Sequence, residues 1–221
     1  MSIATRLYLA NTDALMAEGR LEALIPRLPP ERQQRIARLR RREDQCLSAA
    51  AGLLLERALD DAGVPAGQRA LRLGEQGKPY LAGREDVFFN LSHAGRIVVC
   101  LLSGHENGCD VETERHADLR VAERFFAPDE ARLLRGAPEE VREELFFRLW
   151  TLKESFSKTL GAGLQLGFDR FVMRRQGSEW RVDYPADERA FRFYTPDCAE
   201  GTLSYCLTGG DRMAELVHVS L

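Results

Sequence analysis

Apolar residues change their spacing several times along the chain, and each change predicts a different element. Residues 1–13 alternate between apolar and polar in the manner of a strand. After Pro29-Pro30 the spacing becomes helical, since proline fits a first helical turn and stops whatever precedes it. Glu31 to Asp61 reads as helix with an interruption. Its second half, Ala49 to Leu59, is apolar on most sides and predicts a central packed helix ending near Gly63, with Pro65 just beyond. Leu71 to Val111 breaks into short apolar runs between glycine-rich turns, which predicts strands. Helical spacing returns over Leu119 to Leu134 and over Glu139 to Leu160, the latter stopped by Gly161 and Gly163, and further strands are expected from Phe168 onward. The class is α+β. Ile97-Val98-Val99-Cys100-Leu101-Leu102-Ser103-Gly104 echoes Leu203-Ser204-Tyr205-Cys206-Leu207-Thr208-Gly209-Gly210, each a strand closing in a glycine turn. Two similar α+β halves, 1–105 and 106–221, would account for the echo.

Composition narrows the setting. A chain of 221 residues with 44% hydrophobic and 29% charged content can bury one large core or two of about 100 residues each. The longest strongly apolar run, Ile97 to Leu102, is far short of the ~20 residues that cross a bilayer. The N-terminal residues lack a charged flank and apolar block of the signal-peptide type, so a cytoplasmic protein with no membrane association is expected. Five cysteines without a C-x-x-C pair suit reduced thiols, and His105 with Cys109 reads as structural rather than as part of a zinc site. A net charge of −3 argues against nucleic acid as a partner.

Five short segments carry possible chemistry. In Gly108-Cys109-Asp110-Val111-Glu112, the two carboxylates share one face of a strand while Val111 points to the core. Two carboxylates about 4 Å apart repel by up to ~4 kcal/mol at an effective dielectric of 20, and a hard cation such as Mg²⁺ relieves this. On the helix that follows, Phe147, Trp150, Glu154 and Lys158 form one stripe, beside an apolar face of Leu145, Leu149, Leu152 and Phe156. Charges in line with Trp150 belong at a cleft wall; an ordinary i,i+4 Glu-Lys pair is the plainer alternative. Ser92-His93 closes the run from Phe88 to Gly95 and offers phosphate donors. As neighbours on a strand these two point to opposite faces and cannot easily exchange a proton, which argues against a Ser-His nucleophile pair. Gly77-Lys78-Pro79-Tyr80 holds a lysine beside a stiff proline. Arg32, Arg35, Arg38 and Arg42 have near-helical spacing and form one positive stripe, either a solvated face or a seat for phosphate.

In order and spacing these motifs resemble the surfactin-synthetase-type 4′-phosphopantetheinyl transferases. The resemblance spans about Pro30 to Phe171: Gly-Lys-Pro at Gly77 to Pro79, F-N-x-S-H at Phe89 to His93, G-x-D-x-E at Gly108 to Glu112, R-F-F at Arg124 to Phe126 and W-x-x-K-E-x-x-x-K at Trp150 to Lys158. It implies two similar α+β halves in a pseudo-twofold arrangement, with coenzyme A in the cleft between them. It also implies transfer of the 4′-phosphopantetheine arm to a serine of an acyl- or peptidyl-carrier protein. Asp110, Glu112 and Glu154 look like the magnesium ligands, and Lys158 like the pyrophosphate lysine. Lys78, Ser92 and His93 look like coenzyme A contacts, and Arg32 and Arg35 stand where the family often has two lysines on the 3′-phosphate. A family arginine before the central helix is replaced near Leu47-Ser48. Either Glu154 or a water steered by Glu112 would take the serine proton, with Lys158 offsetting charge on the leaving group. The carrier is expected to dock after the catalytic helix, near Phe168, Arg170, Phe171, Arg174 and Arg175. A monomer is expected, since the halves would complete the cleft within one chain. A Mg²⁺-dependent pyrophosphohydrolase and a non-catalytic coenzyme A-binding module are the other readings of the same acidic segment.

Overall fold

The computed structural model describes residues 3–113, 116–210 and 212–221. Met1 and Ser2, which open the alternating segment, lie outside the described residues. The first half runs β1 (Arg6–Asn11), α1 (Arg20–Leu24), α2 (Pro30–Arg38), α3 (Arg42–Asp61), β2 (Leu71–Leu73), β3 (Pro79–Leu81), β4 (Phe88–Ala94) and β5 (Ile97–Ser103). The second runs β6 (Asn107–Glu112), α4 (Leu119–Phe125), α5 (Pro128–Gly136), α6 (Glu139–Leu160), β7 (Val172–Gln176), β8 (Glu179–Asp183), β9 (Arg192–Tyr194) and β10 (Thr202–Leu207), after which β11 (Glu215–His218) crosses back to pair with β1, so the expected 106–221 half gives up its last strand to the first sheet.

Two sheets face each other, and each is backed by one long helix. Strands β11-β1-β5-β4 form one sheet and β6-β10-β9 the other. On β5, Val98, Cys100 and Leu102 pack with α3 residues such as Leu54 and Ala58, while Ile97, Val99 and Leu101 meet Cys109, Val111, Leu203 and Tyr205 from the facing sheet. Both faces of β5 are dry, which is why its sequence is an unbroken apolar run instead of an alternation. On β10, Leu203, Tyr205 and Leu207 point to the same central layer, and Ser204 and Cys206 turn towards α6. The strands that echo each other in sequence thus occupy matching places, in register, in two similar α+β halves.

Several predicted boundaries move, each for a visible reason. The long helical stretch before Asp61 divides into α2 and α3 because Leu39 and Arg41 are extended. Arg42 therefore leaves the positive stripe and pairs with Glu22 near the start of α3. Pro128 splits the stretch from Leu119 into α4 and α5 after an extended Phe126. The last strands begin at Val172 rather than Phe168. All five cysteines are unpaired, and among the described residues no helix is long and apolar enough to cross a membrane.

Strand β6 and helix α6 meet backbone to backbone at Gly108. A Cβ on Gly108 would lie 2.2 Å from the carbonyl oxygen of Ser155 and 2.5 Å from the amide nitrogen of Thr159. No side chain fits there, and the obstructing atoms are helix backbone. Replacing Gly108 with Ala should therefore destabilise the protein by about 3 kcal/mol or more, the upper end of overpacking costs. Urea unfolding measures this directly; a loss below about 1 kcal/mol would show that strand and helix separate at little cost.

Candidate active site

The close approach of β6 and α6 brings the acidic strand against the charged stripe of the helix. Gly108, Asp110 and Glu112 share the face of β6 that meets α6, and the opposite face, with Cys109 and Val111, lies in the central layer. Strand β4 completes the third side. It does not pair with β6, so the Asn90 side chain closes the joint by accepting from the amide of Cys109 at 3.0 Å. Two residues along the same face of β4, Ser92 donates its hydroxyl to Asp110 Oδ1 at 2.8 Å.

Lys158 Nζ ties the three elements together. It donates to Asp110 Oδ1 at 2.6 Å, to Ser92 Oγ at 3.1 Å and to the carbonyl of Cys109 at 3.2 Å. Burial alone would lower the pKa of this ammonium, but Asp110 beside it reverses the balance and raises it, so Lys158 is a fixed positive charge. Asp110 is 4% exposed, and its second oxygen, Oδ2, is buried with no hydrogen-bond partner. Glu112 accepts from the indole N–H of Trp150 at 3.1 Å. Burial, then the charge of Asp110, push the Glu112 carboxyl up to about 7. Burial and Asp110 raise Glu154 likewise. Among the described residues, no three carboxylate, imidazole or thiol groups converge closely enough to ligate one ion. Lys158 and Trp150 engage the two strand carboxylates instead.

The remaining predicted residues fall at three places around this centre. His93 follows Ser92 on β4 and is exposed by surface area yet crowded by protein atoms. That crowding, followed by the charges of Lys158 and Arg35, holds its imidazole below the usual range. Arg35 thus lies within electrostatic reach of His93, across the cleft on α2. Arg32, on the same helix, lies over Gly52 of α3, where a Cβ would meet its Cγ at 3.2 Å. Both arginines line a cavity of about 350 Å³ with Leu55, Leu59 and Leu71. Ser48 is buried on α3 with its hydroxyl unpaired. Lys78 stands apart from the carboxylates: its ammonium is buried and donates to the carbonyls of Asn107 at 2.8 Å and Thr159 at 3.1 Å, and burial lowers it to about 8.

The expected docking segment needs correction. Phe168 and Phe171 are core residues, 6% and 1% exposed, packed on Phe126, Trp150 and Phe156, so neither can seat a partner's helix. Arg170, Arg174 and Arg175 are exposed, although Arg174 already pairs with Asp129 and Asp183. The sequence reading also assigned nothing to Lys153. It is fully buried, 2.7 Å from Glu130, and donates to the carbonyls of Phe168 and Phe171, while Glu130 accepts from the amides of Ala127 and Met173. This network fixes the back of α6 and hence the angle at which Glu154 enters the cleft. The signal was a lysine amid Phe146, Leu149 and Phe156 on one helical face, a place that requires a buried acid.

Comparison with known proteins identifies the family. Residues 17–105 match the family described as 4′-phosphopantetheinyl transferase, N-terminal, and residues 106–198 match the 4′-phosphopantetheinyl transferase superfamily. A 4′-phosphopantetheinyl transferase of Bacillus subtilis is 30% identical over 76% of this chain and 76% of its own length. Transferases so named from Bacillus pumilus and Aneurinibacillus migulanus are 31% identical over 76% and 72%, and 29% identical over 80% and 74%, of this chain and of their own lengths.

The raised carboxyls give a pH signature. Glu112 titrates near 7 when folded and near its ordinary 4.5 when unfolded, so between those values the unfolded chain binds fewer protons than the folded one. Stability of the chelator-treated protein should fall as pH rises through that window, with Glu112 contributing on the order of 2–3 kcal/mol. Denaturant unfolding at pH 4.5 and 7.5 tests it: Glu112→Gln should flatten the slope, and an unchanged slope in the variant would remove Glu112 as its source.

Proposed function

The chain belongs to the 4′-phosphopantetheinyl transferase family, and we propose that it moves the 4′-phosphopantetheine arm of coenzyme A to a serine of an acyl- or peptidyl-carrier protein. The observation that carries this reading is Asp110: a nearly buried carboxylate, bound on one oxygen by Lys158 and Ser92 and left with the other unpaired. An orphaned anionic oxygen with Glu112 and Glu154 nearby fits a divalent cation. Asp110, Glu112 and Glu154, which do not converge on one point here, would draw together to hold Mg²⁺, and the ion would neutralise charge on the pyrophosphate.

Coenzyme A carries about four negative charges near neutral pH, all on its nucleotide half. Arg32, Arg35 and His93 suit the 3′-phosphate end, and Lys158 suits the pyrophosphate. Lys78, satisfied by two carbonyls, would act by holding the end of α6 in place. The carrier serine oxygen attacks the phosphorus that bears pantetheine, the bond to the adenosine 3′,5′-bisphosphate oxygen breaks, and that bisphosphate leaves. The serine proton passes to Glu154 or, through a water, to Glu112. Lys158 offsets charge on the departing phosphate. Arg170, Arg174 and Arg175 offer an acidic carrier a basic strip beyond the helix. Unpaired thiols suit a reducing cytoplasm, and a cleft completed within one chain suits a monomer.

The test is incubation with an apo-carrier, coenzyme A and Mg²⁺. The carrier should gain about 340 Da on serine, and Asp110→Ala should abolish the gain. Rapid breakdown of coenzyme A without a carrier would favour a pyrophosphohydrolase, and binding indifferent to Asp110 a non-catalytic module. A separate measurement addresses Lys158: Lys158→Ala should lower turnover about 10²–10³-fold, the scale of one preorganised charge lost from a closed site. A loss of tenfold or less would reduce Lys158 to a structural partner of Asp110.

A further inference from the structure

Lys158 brings a positive charge into the centre of the candidate site, and each of its three N–H bonds has an acceptor there. They go to Asp110 Oδ1 at 2.6 Å, Ser92 Oγ at 3.1 Å and the carbonyl of Cys109 at 3.2 Å. A helix readily pairs a lysine with a glutamate one turn before it. The ion pair of Lys158 is instead with Asp110 on the facing strand, and not with Glu154. The same carboxylate has its other oxygen, Oδ2, buried without a partner. The two ends of this ion pair differ in freedom. The Asp110 side chain is 6% exposed on a strand that Gly108 fixes against α6, whereas Lys158 is 26% exposed and ends a flexible four-carbon stem.

Building on the transferase reading, we propose that Lys158 is an internal competitor of the divalent ion: bonded to Asp110 it keeps the ion's affinity low, and the diphosphate of coenzyme A lifts the competition by drawing the ammonium to itself. The reason is shared charge. A carboxylate carries one negative charge, and a lysine on Oδ1 sets a positive neighbour against any cation on Oδ2. Their repulsion acts between protein walls, where charges are screened less than in water. Glu112 accepts from the indole of Trp150, which is a neutral donor, so Lys158 is the cation bonded to this acidic set. The diphosphate brings negative charge of its own and offers Lys158 another partner. Ion and coenzyme A then strengthen each other's binding by the same factor, and neither is held tightly alone. A merely structural lysine predicts the opposite sign: without it, the buried Asp110 would lose the partner that holds it in place, and affinity for the ion would fall.

Mn²⁺ serves as the probe, titrated into the full chain without coenzyme A at pH 8 and low ionic strength, with the free ion read by electron paramagnetic resonance. Lys158→Gln keeps an N–H for Asp110 and removes the charge. It should bind Mn²⁺ about 10–100-fold more tightly than the native protein, the range that one charge-assisted hydrogen bond spans, even though its turnover falls. Lys158→Met, which keeps the apolar stem, should do the same. Lys158→Arg keeps the charge and should bind Mn²⁺ no more tightly than the native protein. Adding coenzyme A should tighten Mn²⁺ binding more in the native protein than in Lys158→Gln, by that same factor. Equal or weaker Mn²⁺ binding in both Lys158→Gln and Lys158→Met overturns the inference. So does tighter binding in Lys158→Arg, which would make space rather than charge the obstacle. These titrations need no carrier: failure to modify a carrier would overturn the transferase reading, while the Mn²⁺ comparison decides the role of Lys158.

Discussion

A strand pressed on a helix without an intervening side chain is the constraint from which the site follows. Gly108 permits it, and the two repeats involved are nearly commensurate. Two residues along a strand advance about 6.6 Å, and four residues along a helix advance about 6 Å. Gly108, Asp110 and Glu112 therefore step past Lys158, Glu154 and Trp150 almost in register, and the contacts observed at Lys158 and Trp150 mark the two ends of that match. A side chain at 108 would push the strand outward and move both carboxylates together. The glycine, which contributes no chemistry, fixes where the chemistry can occur.

Holding α6 in that position means burying it on every other side, and that places charge in the interior. The protein handles each case by full pairing. Lys153 has Glu130 and two carbonyls, Glu130 has two amides as well, and Lys78 has two carbonyls at the end of α6. A buried pair of this kind adds little net stability compared with apolar packing, but losing one partner costs about 3–5 kcal/mol, which makes the geometry exacting. Against that background Asp110 Oδ2, which with Ser48 Oγ and Asn107 Oδ1 is buried without a partner among the described residues, is the member of that set that belongs to a carboxylate, and it is located where a ligand has reason to come.

How much of this was readable in the sequence depended on whether the signal was local. The carboxylate spacing on β6 and the Trp150–Lys158 stripe are properties of one strand and one helix, and both were legible from periodicity. The echo between 97–104 and 203–210 was legible too, because both strands are buried on two faces and so share a composition. Partner choice across the fold was not. Whether Arg42 joins Arg35 or turns to Glu22 depends on a break of a few residues that propensity does not locate. Phe168 and Phe171 alternate with arginines as a docking surface would, yet they fill the space behind Trp150. Lys153 lay in plain view between two residues with assigned roles, and its acid, Glu130, is 23 positions away on another helix.

The sorting of charge along the cleft gives the site a direction. Arg32, Arg35 and His93 gather at one end, Lys158 meets the carboxylates at the centre, and beyond Glu112 the wall is acidic as far as Glu140. A substrate with all its negative charge at one end and a neutral chain at the other can lie in such a field in one orientation only, since reversal would set phosphates against Glu143 and Glu144. The protein's net charge of −3 conceals this gradient. Net charge governs how the molecule meets others at a distance, whereas alignment within a cleft answers to local potential focused between low-dielectric walls. Two similar halves supply the two ends: α2 of the first brings the arginines, and β6 with α6 of the second bring the acids. The joint between β4 and β6, closed by Asn90 and crossed by Ser92 and Lys158, is where the sign changes and where a phosphate would be held between them.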